Sequence, residues 1–259
     1  MSNHNNYSKS LNIKFGSLNC RYLLKLNNPQ LADSFIRYLR SQKCDIFAFQ
    51  ETNIPSLNFS DRTSMLDLKF QCKESIWTSK CGLLNFNNNI HMEMIHKSDD
   101  GRFILAKLTV PSEPNLLPLY VLNIYAPADT VPNKTAFYNN LMAYLKSLHD
   151  YSDILDRLIL AGDFNFQYDL RLPGNFRYKQ PTSFVRFTDT FLHDCNNNNY
   201  SDPFFETLPT FRRGPVIKTL DYIMVGRQLK NLYFNNNIEY IPNEWTDHAL
   251  MTVNFKIQL

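Results

Sequence analysis

Several apolar runs of this chain stop abruptly in acids or amides: Phe49-Gln50-Glu51, Ala161-Gly162-Asp163-Phe164-Asn165 and Leu220-Asp221. A glutamate just beyond a buried segment is either a solvated cap or a ligand for a hard cation. Mg2+ keeps most of its waters and needs only one or two such carboxylates. Asp163 can orient an attacking water or take its proton, and Asn165 can donate to a phosphoryl oxygen; the plainer alternative is an Asx-type turn that ends a strand. His248, in Glu244-Trp245-Thr246-Asp247-His248, titrates near neutrality and can stabilise or protonate a developing phosphorane oxygen. Such a histidine needs a carboxylate on its other ring nitrogen, and Asp221 is the candidate. Asn19 closes Ser17-Leu18-Asn19, and Tyr125 lies in Asn123-Ile124-Tyr125-Ala126-Pro127, where packing is the competing explanation for a tyrosine. Arg212, Arg213 and Lys218 fall between two expected strands and either reach nucleic-acid phosphates or form a solvated hairpin.

These residues depend on the elements that carry them. Strands are expected at Leu11–Leu18, Ile46–Phe49, Ser75–Thr78, Leu83–Phe86, Phe103–Thr109, Leu119–Ile124, Leu158–Ala161, Leu220–Val225, Ile238–Ile241 and Met251–Ile257. In the last of these, apolar and polar residues alternate as on a half-buried strand. Helices are expected from Asn28-Pro29, with Asn as cap and Pro in the first turn, from Asn133 to His149, and over Thr182–Asp194. The asparagine runs Asn87–Asn89, Asn196–Asn199 and Asn235–Asn237 read as loops, because asparagine tolerates turn and left-handed geometry. Many strands with about three helices suggest two packed sheets flanked by helices. Polar groups gathered at strand ends would then form a site at one edge.

The composition permits this reading without directing it. A chain of 259 residues, 44% hydrophobic, suffices for one large domain, and no linker divides it. Residues 1–10 are polar, are expected to be disordered, and lack the apolar core of a signal peptide. The formal charge of +3 is compatible with nucleic acid but far from a basic stripe. Five scattered cysteines without a C-x-x-C pair read as reduced thiols. No apolar run has the length of a membrane span, so an intracellular protein, nuclear or cytoplasmic, is expected.

Taken in order, Leu18-Asn19, Gln50-Glu51-Thr52, Asn123-Ile124-Tyr125-Ala126-Pro127, Gly162-Asp163-Phe164-Asn165, Leu220-Asp221-Tyr222-Ile223 and Asp247-His248 resemble the endonuclease/exonuclease/phosphatase superfamily across nearly the whole chain. The resemblance implies an α/β, DNase I-like fold: a four-layer α/β sandwich of two packed mixed sheets flanked by helices, one domain over residues 11–259. It further implies Mg2+ (or Mn2+) held by Glu51 with Asn19 in support and Asp247 at a metal or water site. Asp163 would act on the water, Asn165 and Tyr125 on the phosphate, and His248, oriented by Asp221, on the growing negative charge. Within the superfamily the chain looks most like the endonuclease domain of non-LTR (LINE-type) retrotransposons, through Gly101-Arg102-Phe103-Ile104 and Thr210-Phe211-Arg212-Arg213-Gly214. That implies nicking of double-stranded DNA to leave a 3′-hydroxyl that primes reverse transcription. The sequence ends at Leu259 without a reverse transcriptase, which reads as a fragment of a longer polyprotein or a free-standing relative. Lys218, three before Asp221, stands where such domains often have Ser, which leaves substrate preference open. An abasic-site repair endonuclease, another phosphodiesterase or phosphatase of the superfamily, and a catalytically silent binding module are the alternatives.

Overall fold

The computed structural model describes residues 10–167, 181–196 and 208–259. In chain order its first half contains β1 (Ser10–Asn19), α1 (Pro29–Ser41), β2 (Ile46–Gln50), α2 (Phe59–Phe70), β3 (Glu74–Trp77), β4 (Cys81–Asn85), β5 (His91–Lys97), β6 (Phe103–Thr109) and β7 (Leu119–Tyr125). The second half contains α3 (Val131–Ser147), α4 (Tyr151–Asp156), β8 (Leu158–Asp163), α5 (Thr182–Phe191) and β9 (Leu192–Asp194). It continues with β10 (Phe211–Arg213), β11 (Val216–Lys218), β12 (Asp221–Gly226), β13 (Tyr233–Glu239) and β14 (Leu250–Gln258).

Strict alternation along the strands builds four layers. One six-stranded sheet runs β13-β14-β1-β2-β4-β3 and the other β5-β6-β7-β8-β12-β9. Both are mixed, because β1 and β2 are parallel, as are β7 and β8, while the other pairs are antiparallel. On β8, Ile159 and Ala161 face the opposite sheet, whereas Leu158 and Leu160 pack under α3, α4 and α5. On β2, Ile46 and Ala48 face inward and Phe47 and Phe49 meet α1 and α2. A period-2 strand with both faces apolar can be buried on both sides, and this requires helices outside each sheet. The expected α/β four-layer sandwich of two packed mixed sheets is therefore the fold.

Several local expectations differ from the structure, each for a physical reason. Helix α2 escapes a periodicity reading because only Leu66 and Phe70 of its twelve residues are buried, and Asn58 makes no side-chain cap. Strand β5 is an edge strand paired only with β6 and exposes much of its length, so its apolar signal is weak. The helix expected over Thr182–Asp194 stops at Phe191, since Leu192–Asp194 turns extended and pairs with β12 as β9. Asn235–Asn237 do not form a loop. They sit in the bulge of β13, where Asn235 takes a φ of 48° and the register with β14 shifts. Residues 1–9 and 197–199, expected to be disordered and a loop respectively, lie outside the described residues; Ser10 already pairs with Gln258. The five cysteines are free thiols, and among the described residues no helix is long and apolar enough to cross a membrane.

Candidate active site

The inward positions that carry the intersheet core continue, at one end of the strands, as polar residues. Phe15 is followed two and four positions later by Ser17 and Asn19, Ala48 by Gln50, Val121 by Asn123 and Tyr125, and Ala161 by Asp163; Ile223 is preceded by Asp221. Period-2 geometry thus aims all of these side chains into one end of the space between the sheets. A polar tie lies beneath them. Asn123 donates to the carbonyls of Phe49 and Gly82 on the facing sheet, both at 2.9 Å, and accepts from Nε2 of Gln50 at 2.8 Å. Gln50 also donates to Oγ of Ser17 at 3.2 Å.

Asp163, Asp221 and His248 converge there, all buried. Nδ1 of His248 lies 2.8 Å from Oδ2 of Asp221, and Nε2, on the other side of the ring, lies 4.0 Å from Oδ2 of Asp163. Asp163 is itself held: Nδ2 of Asn19 donates to its Oδ2 at 2.8 Å and the backbone N–H of Asn165 to its Oδ1 at 2.9 Å. Burial, reinforced by the charge of Asp221, pushes the Asp163 carboxyl above the usual carboxylate range, while His248 and the two hydrogen bonds only partly offset this. Burial by itself would lower the His248 imidazolium, but the adjacent Asp221, with Asp163 and Asp247 behind it, carries it above its ordinary value. A basic carboxylate thus faces a cationic ring across a gap without a direct hydrogen bond, a pairing suited to moving a proton near neutral pH.

Local backbone geometry presents these groups. Gly162 allows β8 to approach β7 so closely that a Cβ would lie 2.0 Å from the carbonyl oxygen of Ile124. Glu51 and Asn165 follow their strands in left-handed conformations, with φ of 50° and 51°. Asparagine tolerates this; for glutamate it costs about 1 kcal/mol or more and concentrates at functional positions. Glu51 stands beside Tyr125 and hydrogen-bonds to it. Burial first, then the charges of Glu51 and Asp163, drive that phenol far above its ordinary range. The guanidinium of Arg102 lies over the Tyr125 ring, 5.1 Å from its centre.

Asp247 completes the cluster. Its Oδ2 accepts from Nε of Arg213 at 2.6 Å, while its buried Oδ1 has no hydrogen-bond partner among the described residues and lies 4.0 Å from Nε2 of His248. An uncompensated buried carboxylate oxygen is costly. It lies against the ring of His248, whose ligand atom and one oxygen each of Asp163 and Asp221 lie within 4.8 Å of one another, and so borders a place where a hard, oxygen-seeking cation fits. Asn19 joins the cluster through both ends of its amide: its nitrogen is engaged by Asp163 and its Oδ1 accepts from the N–H of Arg21 at 3.0 Å. Nδ2 of Asn165 donates to the carbonyl of Ala126 at 2.7 Å.

Arg212, Arg213 and Lys218 lie on the exposed hairpin of β10 and β11, which turns at Gly214-Pro215 with Gly214 at a φ of 57°. Arg213 turns toward the cluster, Arg212 stacks over Tyr240 at 3.9 Å, and Lys218 is exposed opposite Phe211. The hairpin is fastened to the site, because the N–H of Arg212 donates to the carbonyl of Asp247 at 2.9 Å and the Phe211 ring meets His248 edge-on at 5.0 Å. The sequence reading missed the residues that join segments. Oγ1 of Thr246 donates to the carbonyl of Asn19 at 2.8 Å, and Oγ1 of Thr210 accepts from the N–H groups of Leu220 and Asp221. Nζ of Lys25 donates to the carbonyls of Cys20, Arg21 and Trp245. Nζ of Lys134 donates to the carbonyl of Asn165 at 2.8 Å. Their partners lie up to 227 positions away, beyond any local pattern.

Comparison with known proteins places the chain by family and by fold. The family model described as "Endonuclease/Exonuclease/phosphatase family" matches residues 11–248. No curated protein matches. Among solved structures, the fold resembles the endonuclease domain of TRAS1, a telomere-specific non-LTR retrotransposon (TM-score 0.64, 12% identity, 96% of this chain and 100% of that one). It also resembles an AP endonuclease from Leishmania major (TM-score 0.68, 18% identity, 95% and 88%). A third likeness is a 3′ phosphatase from Neisseria bound to product DNA hairpin (TM-score 0.59, 15% identity, 94% and 99%).

Proposed function

The chain belongs to the endonuclease/exonuclease/phosphatase family, and on that premise we propose that it is a divalent-cation-dependent DNA endonuclease that nicks one strand of a duplex and leaves a 3′-hydroxyl. The observation that carries the reading is the buried line from Asp221 through His248 to Asp163, with one ring nitrogen hydrogen-bonded at 2.8 Å and the other turned toward Asp163 at 4.0 Å.

Asp163, fixed by Asn19 and the Asn165 N–H and made basic by burial, takes the proton of the attacking water. Water adds to phosphorus, the bond to the 3′ oxygen breaks, that oxygen takes a proton from solvent, and Asp163 later returns its proton to solvent; the products are a 5′-phosphate and a 3′-hydroxyl. His248, kept cationic by Asp221, stabilises charge on the non-bridging oxygens. Tyr125 and Asn165 border the phosphate, and the hairpin arginines with Lys218 face the neighbouring backbone. Mg2+ or Mn2+, when bound, neutralises a phosphate oxygen; Glu51 and Asp247 would hold it, with Asn19 behind them. Lys25, Lys134, Arg102 and Arg21 surround the site, which suits a polyanionic substrate. The activity would serve a reverse transcriptase that uses the nicked end as primer.

The test is a substrate panel: supercoiled plasmid, an abasic duplex, poly(A) and an inositol phosphate, each with Mg2+. Expected is plasmid relaxation whose nicks a DNA polymerase extends. Cleavage confined to the abasic duplex, or turnover of the inositol phosphate alone, would replace this reading. Arg212→Ala with Arg213→Ala should weaken DNA affinity and nicking, and unchanged values would remove the hairpin from the substrate contact.

A further inference from the structure

Asp247 and Arg213 are an unequal pair. The carboxylate is almost fully buried (side chain 3% exposed), whereas the arginine is 67% exposed on a two-stranded hairpin outside both sheets. They meet through Nε and Oδ2 at 2.6 Å, while Oδ1 has no hydrogen-bond partner among the described residues and lies 4.0 Å from Nε2 of His248. The neighbouring cations are tethered elsewhere. Arg21 comes only within 3.7 Å of the same oxygen and spends Nη2 on the carbonyl of Asn243 at 3.1 Å. Lys25 gives its ammonium to three backbone carbonyls. Arg213 is thus the strong counter-charge of Asp247 that can leave without unpacking a core. Its cross-strand neighbour Val216 is 41% exposed, and the adjacent Ile217 57% exposed.

A divalent cation and a guanidinium on one carboxylate repel each other at close range in a poorly solvated setting. We propose that Arg213 is the resident counter-ion of Asp247, which the cation displaces, and that a DNA phosphate lying against the hairpin receives the released guanidinium. Arg213 then couples two binding events: DNA raises cation affinity, and by linkage the cation raises DNA affinity to the same degree. An arginine suits the exchange, because its planar fork pairs equally well with carboxylate and phosphate. This deepens the reading above and rests on its cation.

Manganese binding to the full chain without DNA tests it, with free Mn2+ followed by electron paramagnetic resonance and folding checked by thermal melts. Arg213→Ala and Arg213→Gln should each tighten Mn2+ binding by about threefold to tenfold, the scale of a partly solvated ion pair. Arg213→Lys should stay near wild type. Arg212→Ala, which removes a charge from the same hairpin without touching the Asp247 side chain, should change it less than the Arg213 replacements. In His248→Ala, expected to cut a short duplex about a hundred- to a thousandfold more slowly, Mn2+ should tighten DNA binding, and adding Arg213→Ala should remove most of that gain. The inference is overturned if Arg213→Ala leaves Mn2+ affinity unchanged or weaker, if Arg212→Ala matches it, or if the gain survives in the double variant. A protein that binds no Mn2+ at all overturns the cation reading as well, whereas bound Mn2+ indifferent to Arg213 overturns only the coupling.

Discussion

The two ends of the space between the sheets share strands β1 and β7 and do opposite work. At one end, Leu11, Ile13, Ile90, Leu108, Leu119 and Ile257 close the layer with hydrocarbon. At the other, inward positions on β1, β2, β7, β8 and β12 carry Asn19, Gln50, Asn123, Asp163 and Asp221. The apolar end gains stability from burial, at roughly 25 cal/mol per Å2. The polar end costs stability, because it holds carboxylates out of water with incomplete compensation. A single period-2 pattern therefore supplies both a core and a site, and the difference lies only in which residues occupy the last one or two inward positions of each strand.

Substitutions at the two ends should separate along that line. The largest effect is expected from His248→Ala or Asp163→Asn, each lowering nicking by about a hundred- to a thousandfold in single-turnover assays. Asp163→Asn should at the same time leave the chelator-treated protein at least as stable as wild type. An acid whose carboxyl is raised on folding, here to about 7, loses stability as pH climbs from its unfolded to its folded value, so the gain in melting temperature should grow from acidic pH to about neutral and level off above it. Ile13→Ala should do the reverse, costing about 2–5 kcal/mol in denaturant unfolding while the folded fraction nicks at the wild-type rate. Equal loss of activity per folded molecule in both classes of variant would erase the distinction.

Asn123→Ala falls between them. It removes the donor to Phe49 and Gly82 and the acceptor of Gln50, so stability should drop by about 1–3 kcal/mol and activity should fall with it. The smallest change is expected from Asp221→Asn, about tenfold in rate, with the alkaline limb of the pH–rate profile moved to lower pH. Burial lowers the imidazolium and Asp221 is the first group to raise it, so its loss lets the proton leave earlier. An unmoved limb would assign that limb to another group.

Much of this was legible in the chain. Ile159, Ala161 and Asp163 stand two apart, as do Ile46, Ala48 and Gln50, so the direction of the strand-end groups follows from alternation alone. The tie between Gln50 and Asn123 was not legible, because its partners are 73 positions apart and belong to different sheets. Nor was the commitment of the Asn19 amide to Asp163, 144 positions away. Secondary structure failed where tertiary pairing outweighs local preference: β9 extends because β12 offers an edge, and the asparagines of β13 bulge because β14 holds them. Helix α2, with two buried side chains, carries too little apolar pattern to be seen.

The most direct measurement is the nicking of supercoiled plasmid across a Mg2+ titration, with wild type and Asp163→Asn compared at matched folded concentration. Saturable, chelator-reversible nicking by wild type and a rate lower by about a hundredfold or more in the variant are predicted. Intact plasmid at every Mg2+ concentration, or equal nicking by the two proteins, would contradict the account.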